Sequence, residues 1–312
     1  MKTYSSRRWR ISALLIITII LTPVISLSGT DKYIFSVPML KELDNDSFSR
    51  MLEELIAVLA DKTDKNIEIS KFIYSHDDNK MKLVTNRLES KQADISYLTG
   101  LEYSEYLISG GDELIPLFSL GIARTSVVPL CFVTRKGELK SVDELAGKRW
   151  QGSGIIPTRY LLYEKGIYKR PEEFFSSIGF TNDSPVSIMI NKLINNEIDV
   201  FTTYKTALSI GGYLTKKDSG FELLECKDYD HNWIFLARKD VDKSFLKRMT
   251  EIMLKAHKDP DFAKFQFAFK MIDGNFINIK KEELDSVYKR AELIVEKEWR
   301  KEQTEFHEKY MK

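Results

Sequence analysis

The feature that most constrains the fold of this chain is a regular alternation of strand-like and helix-like segments after residue 31. KYIFSVPML has the composition of a strand, and the segment behind Asp46 has apolar residues at every third or fourth position, as a helix requires. NIEISKFI and ADISYL are further strand patterns with a helical pattern between them. Strands separated by helices pair in parallel, because the connection needs the length of a crossover helix. The sequence therefore predicts an α/β fold.

A second unit of the same kind begins after Gly121. SVVPLCFVTRKG is a long apolar strand, Ser141 and Glu144 have the spacing of a capping box, and KRW is a short strand. The helix pattern PTRYLLYEKG is followed by the strand patterns EIDVFTTY, FELLEC and WIFLARKD. From Asp242 onward the pattern is helical throughout, and it ends in a long charged helix that begins near Glu282. We therefore expect two α/β units followed by C-terminal helices.

The bulk properties exclude several classes of protein. A chain of 312 residues is long enough for two domains, and its 47 basic and 46 acidic residues leave no basic excess for nucleic acid. The four histidines are scattered and no CxxC motif is present, so a metal site is not expected. The chain also has no nucleophile elbow and no P-loop, so neither an enzyme nor a bound cofactor is expected.

The first 28 residues have the pattern of an export signal. Basic residues precede the apolar run ISALLIITIIL, and small residues that suit a cleavage point after Ser28 follow it. The run is short for a membrane span. We therefore expect export to the periplasm, with an uncleaved N-terminal membrane anchor as the alternative.

The chain contains two cysteines, Cys131 and Cys226. In an exported protein they could form a disulfide, whereas two buried free thiols fit the sequence equally well. The sequence leaves both possibilities open.

The order of these segments resembles that of the phosphate/phosphite/phosphonate-binding subfamily of type II periplasmic binding proteins. LCFVTRKGELKSVDELAGKRW is similar to the segment that enters the second lobe in that family, and ADISYLTGLEY, LYEKGI, NDSPVSIMINKLINNEIDV and FLARKD stand in the family's order. The resemblance implies an α/β fold of two lobes, each a mainly parallel sheet flanked by helices, with a hinge that the chain crosses twice. Residues 1–28 would be the signal peptide, 29–120 plus 240–312 lobe 1, and 121–239 lobe 2.

The resemblance also implies a function. A protein of this kind captures a small ligand, here an anion of phosphonate or phosphate type, between its lobes and delivers it to the permease of an ABC importer. The expected form is a monomer. A binding module that reports the ligand to a membrane sensor is the alternative, and the sequence does not separate the two.

The candidate ligand residues lie where predicted strands end or helices begin. IPTR takes the place of the family's Ser-Thr-Ser-Gly run, so Thr158 keeps a hydroxyl and Arg159 brings a guanidinium to a helix N-terminus, a combination that favours an anion. The resemblance places Asn182 and Asp183 at the family's His-Asp pair and Tyr204 where a carboxylate is common. The predicted ligand-binding set is Tyr97, Thr99, Ser153, Thr158, Arg159, Asn182, Asp183 and Tyr204.

Several of these residues have a structural alternative. Arg159 could pair with a nearby acid, and Tyr97 could be a half-buried aromatic residue on a sheet. Ser153 could form a turn, and Asp183 could cap the following helix.

Overall fold

The computed structural model describes residues 32–41, 46–75, 79–122, 125–152, 154–180, 186–214, 219–263, 265–266, 270 and 273–310. The strands in these ranges are β1 (Lys32–Leu40), β2 (Asn66–Tyr74), β3 (Ile95–Leu98), β4 (Leu114–Gly121), β5 (Val127–Arg135), β6 (Arg149–Gly152), β7 (Ser177–Phe180), β8 (Val200–Tyr204), β9 (Phe221–His231), β10 (Ile234–Arg238) and β11 (Asn275–Ile277). The helices are α1 (Asp46–Thr63), α2 (Lys80–Glu89), α3 (Gly100–Ile108), α4 (Ile155–Tyr163), α5 (Pro171–Phe174), α6 (Val186–Ile194), α7 (Lys205–Ile210), α8 (Lys243–Lys255), α9 (Lys281–Glu296) and α10 (Trp299–Tyr310).

The strands form two separate sheets, as the two α/β units predict. The first sheet has the order β11-β4-β10-β3-β1-β2, and the second has the order β7-β6-β8-β5-β9. In the first sheet β1 is parallel to β2 and β3, and in the second β6 is parallel to β7 and β8. Helices flank both sheets, so the predicted two-lobe α/β class is confirmed.

Both sheets are mixed, whereas the sequence predicts mainly parallel ones. In the first sheet β10 runs antiparallel to β3 and β4, and in the second β5 runs antiparallel to β8 and β9. The reason lies in the path of the chain, which leaves the first sheet through β4 and β5 and returns through β9 and β10. Strands that carry the chain out and back travel in opposite directions and therefore pair antiparallel.

Each sheet has its own apolar core. Around the first sheet, Leu59 of α1 and Met249 of α8 pack against strand residues such as Val37 and Phe118, and all four are 0% exposed. The second core is built around Trp150 of β6, which is 1% exposed. Burial of one large apolar side chain contributes about 1.5–3 kcal/mol. The second core also contains Leu101 of α3, so it joins the two lobes as well as stabilising the second sheet.

The two crossings between the sheets lie side by side and share polar contacts. The backbone N–H of Asn232 donates to the carbonyl of Ser126 at 2.7 Å, which joins the second crossing to the first. His231 is 0% exposed, with Nδ1 3.2 Å from the hydroxyl of Ser119 and Nε2 3.5 Å from a carboxylate oxygen of Glu283. Burial lowers the pKa of His231, so the imidazole is neutral at pH 7. These contacts define the hinge.

The C-terminal region differs from the continuous helical pattern that the sequence predicts. β11 adds a strand to the edge of the first sheet by pairing with β4. The predicted long charged helix is divided into α9 and α10 at Glu298, whose φ is 53°. The break lets Trp299 enter the second core, where it is 2% exposed. A tertiary contact therefore overrides the local helical preference at this point.

Besides the two strand crossings, the packing of the last two helices also joins the two lobes. α9 packs against α3 of the first unit and β9 of the second, and α10 packs against α4. Val287, Ala291 and Ile294 of α9 belong to the second core. The lobe boundaries given above remain a prediction. α10 contacts both units, because it packs against α4 and its Arg300 pairs with Glu105 of α3 at 2.5 Å.

Two further sequence predictions concern the two cysteines and the N-terminal export signal. Cys131 and Cys226 lie directly opposite each other on β5 and β9 and form a disulfide, so pairing is the alternative that the structure supports. The predicted export signal, residues 1–28, lies outside the described residues. Among the residues that are described, no helix has both the length and the apolar character of a membrane span.

Candidate functional site

The candidate site lies where strand ends of the two lobes meet. β3 runs directly into α3 in the first lobe, and β6 and β8 lead into α4 and α7 in the second. Ligands of open α/β sheets bind beyond the carboxyl ends of such strands. Burial, together with the negative charges of Asp230 and Glu102, raises the pKa of Tyr204 at the end of β8.

A chain of hydrogen bonds fixes the start of α4 to the second sheet. The indole N–H of Trp150 donates to the hydroxyl of Thr202 at 2.7 Å, and the hydroxyls of Thr202 and Thr158 are 3.0 Å apart. The Thr158 hydroxyl lies 3.1 Å from the carbonyl of Gly154, which can only accept. One hydrogen per hydroxyl then sets the direction of the chain, from Trp150 through Thr202 and Thr158 to Gly154. Thr158 is 0% exposed, so it acts on a ligand only through α4.

The first turn of α4 has no side-chain cap among the described residues. Gly154 is the N-cap and has no hydroxyl or carboxylate to offer, and Pro157 has no N–H. The amides of Ile155 and Ile156 therefore point out of the helix at a buried position. A helix N-terminus carries about half a positive charge, so this turn favours an anion. Ser153, which precedes it and is a predicted ligand residue, lies outside the described residues.

The first turn of α3 is, in contrast, fully capped by side chains. The hydroxyl of Thr99 accepts from the N–H of Glu102 at 3.3 Å, and the Glu102 carboxylate accepts from the N–H of Thr99 at 2.8 Å. This is a capping box. Lys80, at the start of α2, pairs with the same carboxylate oxygen at 2.8 Å. The predicted ligand residue Thr99 thus has a capping role in this structure.

A second carboxylate reaches the same turn from the hinge. One oxygen of Asp230 accepts from the N–H of Leu101 at 2.8 Å and from the N–H of His231 at 2.6 Å. Gly100 permits this approach, since a Cβ there would lie 2.4 Å from the Cβ of His231. Burial raises the pKa of Asp230 to about 6, although the two amides lower it.

Aromatic side chains lie at the strand ends of both lobes. Tyr97 is 5% exposed and donates its hydroxyl proton to the carbonyl of Pro38 at 3.0 Å. Its ring packs against the half-buried Trp233 with a centroid distance of 4.8 Å. In the second lobe, the rings of Tyr204 and Tyr229 lie 6.2 Å apart. The packing alternative for Tyr97 therefore describes its contacts in this structure.

The side chain of Arg159 in α4 contacts the segment at residues 168–169 and the helix α10. Its guanidinium donates to the carbonyls of Tyr168, at 2.7 Å, and Lys169, and its Nε is 3.6 Å from the Glu302 carboxylate of α10. The guanidinium also lies 5.8 Å from the ring centroid of Trp299. These contacts correspond to the alternative of an ion pair with a nearby acid.

The structure brings together only part of the predicted set. Tyr97 and Tyr204 lie at strand ends of different lobes, Thr99 caps α3, Thr158 is bonded to Thr202 beneath α4, and Arg159 is directed toward α10. Asn182 and Asp183 lie outside the described residues, as Ser153 does.

Four residues that the sequence prediction omitted contribute to the site, namely Lys80, Glu102, Thr202 and Asp230. The Thr-x-x-Glu spacing of Thr99 and Glu102 could have indicated a capping box. Asp230 is 129 positions from its partner Leu101, and no local pattern signals that contact.

Comparisons with known proteins identify the architecture. No protein-family model matches the sequence, and no curated protein matches it. XAC2383 from Xanthomonas citri, solved with ATP, superposes with a TM-score of 0.60 at 13% identity over 85% of this chain and 98% of that chain. PhnD1 from Prochlorococcus marinus, in complex with methylphosphonate, gives 0.59 at 15% identity over 84% and 98%.

A third solved structure is similar over the same part of the chain. The periplasmic aliphatic sulphonate binding protein SsuA from Escherichia coli gives a TM-score of 0.53 at 12% identity over 86% of this chain and 88% of that chain. Identities this low show the fold alone. The chain therefore has the two-lobe fold of type II periplasmic binding proteins, and its structural neighbours include phosphonate- and sulphonate-binding members of that fold.

Proposed function

We propose that the protein is a solute-binding protein that captures a small anion between its lobes and delivers it to an ABC permease. The observation that carries this proposal is the topology, in which two mixed sheets are joined by two strand crossings that run in opposite directions. Such a hinge allows two lobes to close on a ligand, which stabilises the closed state through contacts made only there. No covalent step is required of any residue.

The anionic character of the ligand is supported by the start of α4. Its first amides are buried and have no side-chain cap among the described residues, and the hydrogen bonds from Trp150 to Gly154 hold them in place. The three neighbours described above were solved with, or are named for, molecules that carry phosphoryl, phosphonate or sulphonate groups. We expect contacts to the ligand from this turn and from Tyr204, with Ser153, Asn182 and Asp183 as further candidates.

The expected setting follows from the sequence. A periplasmic location, a monomeric form and an ABC permease as partner all belong to this proposal. Arg159 remains a predicted ligand residue, but its present partners favour a role in holding α10 against α4.

A thermal-shift panel tests the proposal. The purified protein is heated with phosphate, phosphite, methylphosphonate, ethanesulfonate and acetate, each against matched ionic strength. A ligand that binds only the folded protein adds about 2.7 kcal/mol of stability at a hundredfold excess over its dissociation constant. We expect a rise in melting temperature with at least one of these anions. A flat response to the whole panel would overturn the anion-binding function.

A further inference from the structure

The face that α3 turns toward the second unit carries one charged residue between two apolar ones. Leu101, Glu105 and Ile108 are four and three positions apart, so they share one face of the helix. Leu101 belongs to the second core, and Ile108 packs against the same core. The opposite face of α3 is fixed in lobe 1, because Tyr103 and Tyr106 are buried in an apolar cluster on the first sheet. α3 is therefore an element of lobe 1 that contacts lobe 2.

The partner of Glu105 comes from α10, which is anchored in lobe 2. Both Nε and Nη2 of Arg300 donate to one carboxylate oxygen of Glu105, at 3.1 and 2.5 Å. Trp299, the preceding residue, is 2% exposed and belongs to the second core. Further along α10, the Glu302 carboxylate lies 3.6 Å from Nε of Arg159 in α4. α10 is therefore fixed to lobe 2, and Arg300 reaches from it to lobe 1.

The ion pair differs from the apolar contacts around it in how readily it breaks. The Arg300 side chain is 52% exposed, and the Glu105 side chain is 15% exposed. Water can therefore replace Glu105 as the partner of Arg300, whereas withdrawal of Leu101 from the second core would expose apolar surface. No other basic side chain in the described part of the chain pairs with Glu105. The ion pair is thus the contact between α3 and α10 that can open and close reversibly.

We infer that α9 and α10 form a strap that holds the two lobes in the observed arrangement, and that the lobes rotate about the hinge only when the Arg300–Glu105 pair opens. The strap begins at the hinge, where the first turn of α9 places Glu283 beside His231. It ends on α4, against which α10 packs. The inference concerns the motion of the lobes and does not depend on which ligand they bind.

Interlobe distances measured by double electron–electron resonance test the inference. Spin labels are attached at Lys82→Cys in α2 and Asn195→Cys after α6, which are exposed positions in lobes 1 and 2. The native cysteines are paired in the disulfide and take no label. The labelled protein is compared with Arg300→Glu, with the charge swap Arg300→Glu/Glu105→Arg, and with Lys301→Glu. Lys301 is exposed and has no ion-pair partner in the described ranges, so it provides a matched control for the change of charge.

We expect Arg300→Glu to raise the population of a second interlobe distance by about twofold to fivefold or more, because it removes an exposed ion pair and places like charges together. The charge swap should restore the wild-type distribution, and Lys301→Glu should leave it unchanged. Salt screens exposed charges, with a Debye length of about 3 Å at about 1 M. Wild-type protein at that salt concentration should therefore shift in the same direction as Arg300→Glu.

Three outcomes overturn the inference. The first is an unchanged distance distribution in a folded Arg300→Glu variant, and the second is an equal shift in Lys301→Glu. The third is a charge swap that behaves like Arg300→Glu, since the pair would then not be what holds the lobes. If Arg300→Glu does not fold, the salt response of the wild-type protein decides, and a distribution that is independent of salt overturns the inference.

Discussion

The hydrogen-bond chain beneath α4 makes a prediction whose size follows from the structure. Thr202→Val replaces the hydroxyl by a methyl group of similar volume, so no cavity forms, but the indole N–H of Trp150 loses its acceptor. Trp150 is 1% and Thr202 4% exposed, so water cannot replace the lost partner. An orphaned buried donor costs about 1–3 kcal/mol. We expect the variant to lose about that much stability.

A double-mutant cycle separates this hydrogen bond from general disturbance of the core. Urea unfolding is measured for wild-type protein, Thr202→Val, Trp150→Phe and the double variant. A loss of about 2 kcal/mol lowers the urea midpoint by roughly 1 M when the slope is about 2 kcal/mol per M. In the Trp150→Phe background no indole N–H remains, so Thr202→Val should cost less there, with a coupling of about 0.5–3 kcal/mol. A coupling of zero would refute the proposed chain and its role in fixing α4.

Three further predictions concern the disulfide, the hinge and α10. Reduction of Cys131–Cys226, whose separation is 95 residues, should lower stability by about 4–5 kcal/mol in the loop-entropy model, as measured by urea unfolding with and without reductant. The folded pKa of Asp230, about 6, lies above its unfolded value, so its contribution to stability is present at low pH and is lost as the pH rises through 6. Asp230→Asn should therefore be more stable than wild type at pH 8, by up to about 3 kcal/mol, with the difference vanishing below pH 4; an equal difference at both pH values would contradict this. Arg159→Ala should lower stability by about 1–3 kcal/mol, because Glu302 keeps only Arg170 as a basic partner and the carbonyls of Tyr168 and Lys169 lose their donor, and should leave methylphosphonate affinity within about twofold; a large loss of affinity with unchanged stability would return Arg159 to the ligand site.

The helices and strands were predictable where a short stretch of sequence contains their apolar period. The period of α1 places Leu55, Ile56 and Leu59 on one buried face, and all three are at most 4% exposed. The mixed sheet order and the break at Glu298 depend on contacts between distant segments, so no window of sequence contains them. Trp299 illustrates the point, because its burial in the second core decides where a charged helix ends.

The candidate site was predictable in place more than in detail. Strand ends and helix starts were predicted correctly at Tyr204, which ends β8, and at Thr99, which caps α3, whereas their contact with a ligand stays a prediction. The direction of a side chain on a helix was not predictable, because Thr158 and its neighbour Arg159 leave α4 on different sides, one toward Thr202 and the other toward Glu302. The role of Asp230 depends on a strand that returns to α3 after more than a hundred residues.

The most direct test of the account is the position of a bound anion. The backbone amide signals of isotopically labelled protein are followed by NMR while methylphosphonate is added. The account predicts saturable shifts that are largest at Ile155 and Ile156, at the start of α4, with smaller changes at Leu101, whose N–H is already bonded to Asp230. Saturable shifts that leave Ile155 and Ile156 unchanged and are largest away from the cleft would contradict it.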